Sequence, residues 1–556
     1  MNSNREFPSH IFIIFTLEKI KKLLPLVFVL LLAFSLRFYQ LRENPPHLNW
    51  DEAALGYNAY SILKTGRDEY GIKFPLYLRS FDDYKPPMYV YLTIPSVAIF
   101  GLNDWAVRLP SALLGTLTVA MMYFLVKEIS DNSKLAILSM FFLAISPWHL
   151  QFSRVAFEAN IALFFTVFGV WMFLKGIKKA KFLILSVIFC SFTLYSYHSP
   201  RVFIPLLGLG LAFLFRKKIF KAWKYCLLAV IMGMVICLPL VKIMASTEGQ
   251  MRIRGTSIFA HPIKLLDQSS ERMNKDRLQG FLLAGFFHNR RLAYFKTALD
   301  GYLLHFNLNW LFLKGDINRH HAPGVGLLYL WELPFVLAGI YFLIKKKPKF
   351  YQVIFLWLFL APVPAAPTLQ LPHAVRALNM VIPLHIFTAS GVYMFLENIR
   401  ERKSLIKNCL LSAACCLLFI NFIYYLHQYY VHLPLDWSDD WQYGRKEMVL
   451  AAESLKDRYN EIIVSTELEK SYMFFLYYLK YNPQKYLSGG GTVSGGFAET
   501  GNQVDKYKFR PLNWEKERRG KDILLIGLPN DFPEGISAIK IIYNLSGEEV
   551  IRFVSF

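Results

Sequence analysis

The stretch "MYVYLTIPSVAIFG", residues 88–101, decides how this chain relates to a membrane. It follows "KPP" (85–87), is largely apolar and contains Pro95. A helix needs roughly 20 apolar residues to cross a hydrocarbon layer of about 30 Å. This one is short for that. Counted as a span, it inverts every later loop and exports the lysine clusters. Laid along the outer surface as an interfacial or re-entrant helix, it leaves every cluster on one side.

The rest of the chain supplies enough spans without it. Of 556 residues 54% are hydrophobic, with 48 Phe, 31 Tyr and a mean hydropathy of +0.31. That exceeds what a soluble domain carries, so the composition predicts a polytopic α-helical membrane protein. The formal charge of +22 comes from short clusters between apolar runs: "EKIKK" (18–22), "KGIKKAKF" (175–182), "FRKKIFKAWK" (215–224), "KKKPKF" (345–350) and "IRERKSLIK" (399–407). Such clusters fit cytoplasmic loops against anionic membrane lipids and speak against nucleic acid. The six cysteines all lie in apolar runs without C-x-x-C spacing, which indicates neither a disulfide framework nor a zinc site. The first apolar run, Leu23 to Tyr39, reads as a retained anchor.

With a cytoplasmic N-terminus, about eleven spans satisfy every basic cluster: 23–41, 105–126, 134–151, 157–175, 181–197, 201–215, 222–245, 325–344, 349–366, 376–397 and 406–428. The extracytoplasmic side then collects loops 42–104 and 246–324, the corners 151–160, 197–201 and 369–376, and everything after Leu433. Residues 1–433 are thus expected to form the membrane domain. Residues 434–556 are expected to form a small extracytoplasmic α/β domain, with helices in "YGRKEMVLAAESLKDRY" and "SYMFFLYYLKY" and strands in "EIIVS", "DILLIG", "AIKIIYN" and "EVIRFVSF". The loop "SGGGTVSGG" (488–496) matches no phosphate-binding fingerprint and reads as a flexible connector.

Candidate chemistry sits in the outer loops. In "NWDEAALGYNAYSILKTG" (49–66), Asp51 reads as a helix N-cap with Glu52 in the first turn and Gly66 as the stop. A cap needs no acidic pair at a membrane surface, which leaves catalysis open for both carboxylates. In "FDDYKPPMYVY" (81–91), Lys85 is stiffened by two prolines and is placed to meet a lipid phosphate, with Asp82 and Asp83 beside it. Arg154 and Glu158 stand at i, i+4 in "FSRVAFEAN", a spacing at which they could form a local ion pair. "YHSPR" and "PHAVR" each put His and Arg at a span mouth: His198 with Arg201, His373 with Arg376. Arg319, His320 and His321 add a further basic cluster. Arginines there run against the positive-inside bias, and a forked donor set for phosphate oxygens is one reason for them. The histidines lack H-E-x-x-H spacing, so no metal is expected to be required, although a divalent ion stays possible.

An acidic pair after the first span, then "KPP", then "GLNDWAVRLPSALLG" (101–115) opening the next span resembles the dolichyl-phosphate-mannose–protein mannosyltransferase family and the related bacterial aminoarabinose transferases, membrane glycosyltransferases of the GT-C fold. "RHHAPG" (319–324) resembles an external segment of the bacterial branch. The resemblance covers roughly residues 20–400 and is strongest over 45–165. It implies an inverting transfer from a polyprenyl-phosphate sugar donor to an acceptor hydroxyl on a lipid, glycan or protein. It implies Asp51 as the catalytic carboxylate with Glu52 beside it, Lys85 at the lipid phosphate, and Glu158 as the second acidic position. Arg154, His198, Arg201, Arg319, His320, His373 and Arg376 are candidate substrate-binding residues. No β-trefoil insert is recognisable, which weighs against a Ser/Thr-protein acceptor. A lipid-linked oligosaccharide ligase is the nearest alternative; a transporter or flippase would need broken, charged helices at mid-membrane, and this chain keeps its charges at helix mouths.

Overall fold

The computed structural model describes residues 9–81, 83–260, 263–495 and 501–555. Asp82, the last glycine of the 488–496 loop and the terminal Phe556 lie outside them. The membrane part opens with α1 (Ser9–Phe38), α2 (Trp50–Thr65), the hairpin β1–β2 (Leu78–Ser80 and Asp83–Lys85) and α3 (Met88–Phe100). It continues with α4 (Asp104–Ser130), α5 (Ser133–Ile145), α6 (Pro147–Ser153), α7 (Glu158–Gly176), α8 (Phe182–Leu194) and α9 (Pro200–Leu214). Helices Trp223–Ala245, Glu332–Lys346, Tyr351–Leu360, Val381–Arg400 and Ser404–His427 complete the bundle.

A helix therefore lies at each of the eleven expected positions, but length divides them. Among the described residues five helices are long and apolar enough to cross a membrane: Asp104–Ser130, Glu158–Gly176, Trp223–Ala245, Leu378–Arg400 and Ser404–Asp436. The bent pair α5–α6, broken by 61°, makes six if it counts as one span. The remainder include several helices of 10–17 residues. At 1.5 Å rise per residue these fall short of a straight crossing. The chain is a helical membrane protein, and the structure supports five or six spans by this criterion rather than eleven. Segment 88–101 is one of the short helices: α3 has 13 residues and packs its Tyr89, Val90 and Val97 face inward while Ile99 and Phe100 are exposed.

The bundle core is built by close approach and by arginine clamps. A Cβ on Gly339 would stand 1.8 Å from the Phe387 carbonyl oxygen, and one on Gly391 2.0 Å from that of Phe335. Only hydrogen lets helices Glu332–Lys346 and Val381–Arg400 meet so closely. At the α5–α6 break, Arg37 donates to the carbonyls of Ala144 (3.2 Å) and Leu143 (3.5 Å) and meets His149 Nδ1 at 2.7 Å. Carbonyls released by a bend inside a membrane need such a donor.

The C-terminal residues form one six-stranded mixed sheet in the order β4 (Asn502–Val504), β5 (Tyr507–Phe509), β3 (Glu461–Val464), β6 (Ile523–Gly527), β8 (Glu549–Ser555), β7 (Lys540–Tyr543). β3 runs parallel to β5 and β6, and the remaining pairings are antiparallel. Helices Arg445–Leu455 and Ser471–Tyr478 fall where their apolar spacing predicts, as do four of the strands. The hairpin β4–β5 is additional. Its three-residue strands are too brief to give an alternating pattern. The sheet does not stand apart from the membrane part. One continuous apolar core joins Ala53, Tyr57 and Ile62 of α2, Val90 of α3 and Val107 of α4 to Tyr472, Phe475, Ile462 and Phe553 of the C-terminal unit. The glycine-rich loop is likewise docked: Thr492 is buried, donates its amide to the Glu69 carbonyl and its hydroxyl to the Glu69 carboxylate.

Candidate active site

The start of α2 sets the site, and it differs from expectation by two residues. Asn49, not Asp51, is the N-cap: its side chain accepts from the Glu52 amide at 3.0 Å, and the Glu52 carboxylate accepts from the Asn49 amide at 3.3 Å. This reciprocal box satisfies two of the helix's otherwise open donors. Asp51 is thereby released from capping. Its Oδ1 instead meets the Lys85 ammonium at 2.5 Å, and its side chain stays 40% exposed.

Glu52 faces the opposite way. It is 1% exposed, and Arg108 donates to its two oxygens from Nε (2.9 Å) and Nη2 (3.0 Å). The Ala156 amide donates to Oε1 at 3.0 Å. Arg108 also donates to the carbonyls of Leu41, Pro45 and His47, so the pair stitches α2, α4, the 41–47 segment and the start of α7 into one frame. Both carboxylate oxygens of Glu52 are committed. Of the acidic pair, the one with an open face is Asp51.

Lys85 arrives on β2, across the hairpin from Leu78. Burial disfavours its charge, but the carboxylates of Asp51, Glu158 and Asp83 outweigh that and hold the ammonium above the ordinary lysine value. Burial likewise works against an Asp51 anion. Lys85 first, then Arg319 and Lys470, overcome it and keep the carboxyl below its usual range. Asp51 is therefore ionised and partly open, with cations around it.

The other candidates fall into groups. Glu158, at the first turn of α7, is near enough to act on Lys85. Arg154 is a correction. Its donors go to the carbonyls of Leu36, Tyr39, Gln40 and Asn44 and to the Tyr429 hydroxyl, not to Glu158. The four carbonyls lie at and beyond the end of α1, where a helix leaves acceptors open, so Arg154 is a buried clamp. His198 and Arg201 stand behind the hairpin: His198 Nε2 lies 3.1 Å from the Tyr84 carbonyl and Nδ1 3.1 Å from Arg201. They reach the Asp51–Lys85 pair through the strand that carries Lys85.

Arg319 stacks on Trp50, its guanidinium carbon 5.5 Å from the ring centroid. The next residue, His320, holds Asp316 at 2.7 Å, and the rings of His320 and His373 lie 5.1 Å apart. Asp316, His320 and His373 offer ligand atoms within 4.8 Å of one another. The donor set is of a kind that divalent ions accept. Against that, Asp316 Oδ2 already accepts from His320 and, at 2.7 Å, from the Ala374 amide. Burial pulls His320 below its ordinary value, which favours a neutral ring donating to an ionised Asp316. Arg376 donates to the Thr368 hydroxyl (2.7 Å) and the Leu369 carbonyl (2.6 Å), bracing the loop that presents His373. His321 turns away, its Nδ1 against the carbonyls of Ala322 and Val325.

Three residues in this region carried no expectation. Arg108 sits inside "NDWAVRLP", where it resembles any arginine of a helix start. Asp316 is i, i+4 from His320, a legible spacing. Lys470 comes from the C-terminal unit, and its Nζ lies 3.9 Å above the centroid of the Trp50 ring. No local pattern could have joined those two positions.

Known proteins share the fold and part of the sequence. Residues 84–242 match the family model described as dolichyl-phosphate-mannose-protein mannosyltransferase. A Bacillus subtilis (strain 168) protein named "Putative mannosyltransferase YkcB" is 33% identical over 97 residues, a match spanning 17% of this chain and 13% of that protein. The crystal structure of ArnT from Cupriavidus metallidurans superposes with a TM-score of 0.51 at 12% identity, covering 95% of this chain and 97% of that one. The Archaeoglobus fulgidus oligosaccharyltransferase tethered to an acceptor peptide gives 0.51 at 12% identity, over 83% of this chain and 63% of that one. The chain resembles GT-C membrane glycosyltransferases in fold over nearly its whole length, and in sequence over the segment that carries Lys85, Arg108, Glu158, His198 and Arg201.

Proposed function

We propose, from a GT-C fold and a mannosyltransferase-like segment, that this protein transfers a sugar from a polyprenyl-phosphate donor to an acceptor hydroxyl, with inversion at the anomeric carbon. The observation that carries the reading is the split of the acidic pair: Asp51 is partly open beside Lys85 and Arg319, while Glu52 is sealed against Arg108. The ArnT structure recorded with undecaprenyl phosphate supports the donor class.

The chemistry follows from the charges. Asp51 takes the proton of the acceptor hydroxyl, whose oxygen attacks the anomeric carbon. The bond from that carbon to the phosphate oxygen breaks, and its electron pair leaves on the phosphate. A positioned base supplies typically 10²–10⁴-fold. Lys85 and Arg319 stabilise the charge that develops on the departing phosphate. Glu158 orients Lys85. His198 and Arg201 steady the strand behind it. Direct displacement by the acceptor oxygen, with Asp51 as base, inverts the anomeric carbon without a covalent intermediate. The reaction as written needs no metal. Asp316, His320 and His373 are the residues that would hold a divalent ion, and a bound ion would add positive charge next to Arg319.

In this reading the active centre, loops 42–104 and 246–324 and the sheet of residues 434–556 lie on the extracytoplasmic face of a cell (inner) membrane, with the N-terminus cytoplasmic and the short helices completing about eleven crossings by pairing and local thinning of the bilayer. The test is mass spectrometry of lipid-linked sugars and envelope glycans in cells with and without the protein. A glycan lost together with accumulation of its polyprenyl-phosphate monosaccharide supports the reading. Accumulation of a pyrophosphate-linked oligosaccharide instead would make the protein a ligase.

A further inference from the structure

Resting on the donor assignment above, we propose that the C-terminal unit is part of the catalytic centre: it supplies Lys470 as a phosphate-binding cation that completes the donor site begun by Lys85 and Arg319. Three observations converge on this residue. The first is its backbone. Lys470 (φ 54°, ψ 29°) occupies the left-handed conformation at the turn before helix Ser471–Tyr478, and Glu469 before it also has a positive φ (36°). Glycine takes that conformation without strain and lysine does not. Non-glycine residues held there cluster where the side chain is wanted for function.

The second is where the side chain goes. Lys470 is 7% exposed, so its charge is withdrawn from water. Its ammonium lies 3.9 Å from the Trp50 centroid and 5.3 Å from that of Phe81, a residue of the hairpin that carries Lys85. Trp50 is therefore approached by Lys470 and by Arg319, and the residue after it is Asp51. Lys85, Arg319 and Lys470 come from three distant segments and all bear on the same carboxylate. The acidic groups acting on Lys85 are Asp51, Glu158 and Asp83.

The third is rigidity. Helix Ser471–Tyr478, which follows Lys470 directly, is buried through Tyr477 and packs on α2 within the shared core. Glu69 fastens the same helix and the glycine-rich loop to the end of α2 through Tyr472 and Thr492. A cation held this firmly is pre-organised for an anion that arrives with the substrate. A surface cover would need no lysine here.

The test uses the full chain in lipid nanodiscs with farnesyl phosphate as probe and farnesol as its uncharged control. Lys470→Met is expected to weaken farnesyl phosphate binding about tenfold or more, the worth of one charged hydrogen bond, and to leave farnesol binding unchanged. Lys470→Arg is expected to restore most of the loss. If Lys470→Met unfolds the protein, Lys470→Gln with a thermal midpoint matching wild type serves in its place. Unchanged phosphate binding in the folded neutral variant overturns the proposal. Lys85→Met, measured in parallel, separates the two levels. If it loses the phosphate and the Lys470 variant does not, only this inference falls. If wild type binds farnesol and farnesyl phosphate equally, the donor assignment falls with it.

Discussion

Asp51 and Glu52 are neighbours in the chain and opposites in surroundings. The first lays a 40% exposed carboxylate against Lys85; the second, 1% exposed, is clasped by Arg108. The difference comes from the capping box at Asn49, which turns Glu52 back toward the helix start and leaves Asp51 pointing elsewhere.

That division predicts two unlike phenotypes. Asp51→Asn keeps the fold, because an amide still fills the place, and sugar transfer falls at least 10²-fold as expected for a lost base. Glu52→Gln leaves Arg108 buried without its counter-charge, and stability drops by about 3–5 kcal/mol. Thermal unfolding and transfer from a lipid-linked donor, measured on the same preparations, read both. A Glu52→Gln protein as stable as wild type but inactive would exchange the two roles.

The pH profile tests the Asp51–Lys85 contact. A carboxyl held below its usual range keeps its anion to lower pH, so the base remains functional on the acidic side. The stabilisation from such a group is present above its unfolded value and lost as pH falls through the folded one. Lys85→Met removes the foremost of the opposing cations. The acidic limb of kcat/KM is then expected to move to higher pH, with the alkaline limb little altered. An unmoved acidic limb would mean that another group titrates there.

Legibility in the sequence followed the range of the interactions. The helix at 50–65, a short helix over 88–100 and four strands of the C-terminal sheet were set by local period, and the structure reproduces them. The identity of the cap was misread because Asn49 and Asp51 are both good caps, and only the return bond from Glu52 chooses between them. Arg154 was misread for a related reason. Its i, i+4 spacing to Glu158 promised a local pair, but α7 begins at Glu158 itself, so no helix connects the two. Asp51–Lys85 was within reach of inference because one loop, 42–104, carries both. Lys470 on Trp50 and Thr492 on Glu69 were not, because they depend on how a distant sheet docks.

Sidedness is a separate matter from fold and has its own prediction. If the basic clusters are cytoplasmic, a membrane-impermeant maleimide added to intact cells labels a cysteine tag placed after Phe556 and leaves Lys347→Cys unlabelled in a cysteine-free background. Lys347, in left-handed conformation between helices, is suited to the control because it is exposed and opens a short loop. Labelling of Lys347→Cys would require an odd change in the number of crossings before it, or an N-terminus on the other side.

Glu69 makes the docking of the C-terminal unit sensitive to pH. It is fully buried, and its hydrogen-bond partners Asn58, Thr492 and Tyr472 are all neutral. Burial, with Asp68 nearby, pushes its carboxyl from 4.5 to about 7. A carboxyl raised in the folded state stabilises fully below its unfolded value, and that contribution is lost as pH rises through the folded one. A displacement of this size corresponds to roughly 3 kcal/mol. The thermal midpoint of wild type is therefore expected to fall between about pH 5 and pH 8, and Glu69→Gln, which removes the charge and can meet the Thr492 and Tyr472 hydroxyls as a donor, to flatten that slope. Because Glu69 anchors the helix that follows Lys470, the same variant should hold farnesyl phosphate affinity steadier than wild type toward pH 8. A wild-type midpoint that stays level over this interval would show that the buried carboxyl finds a counter-charge in solution.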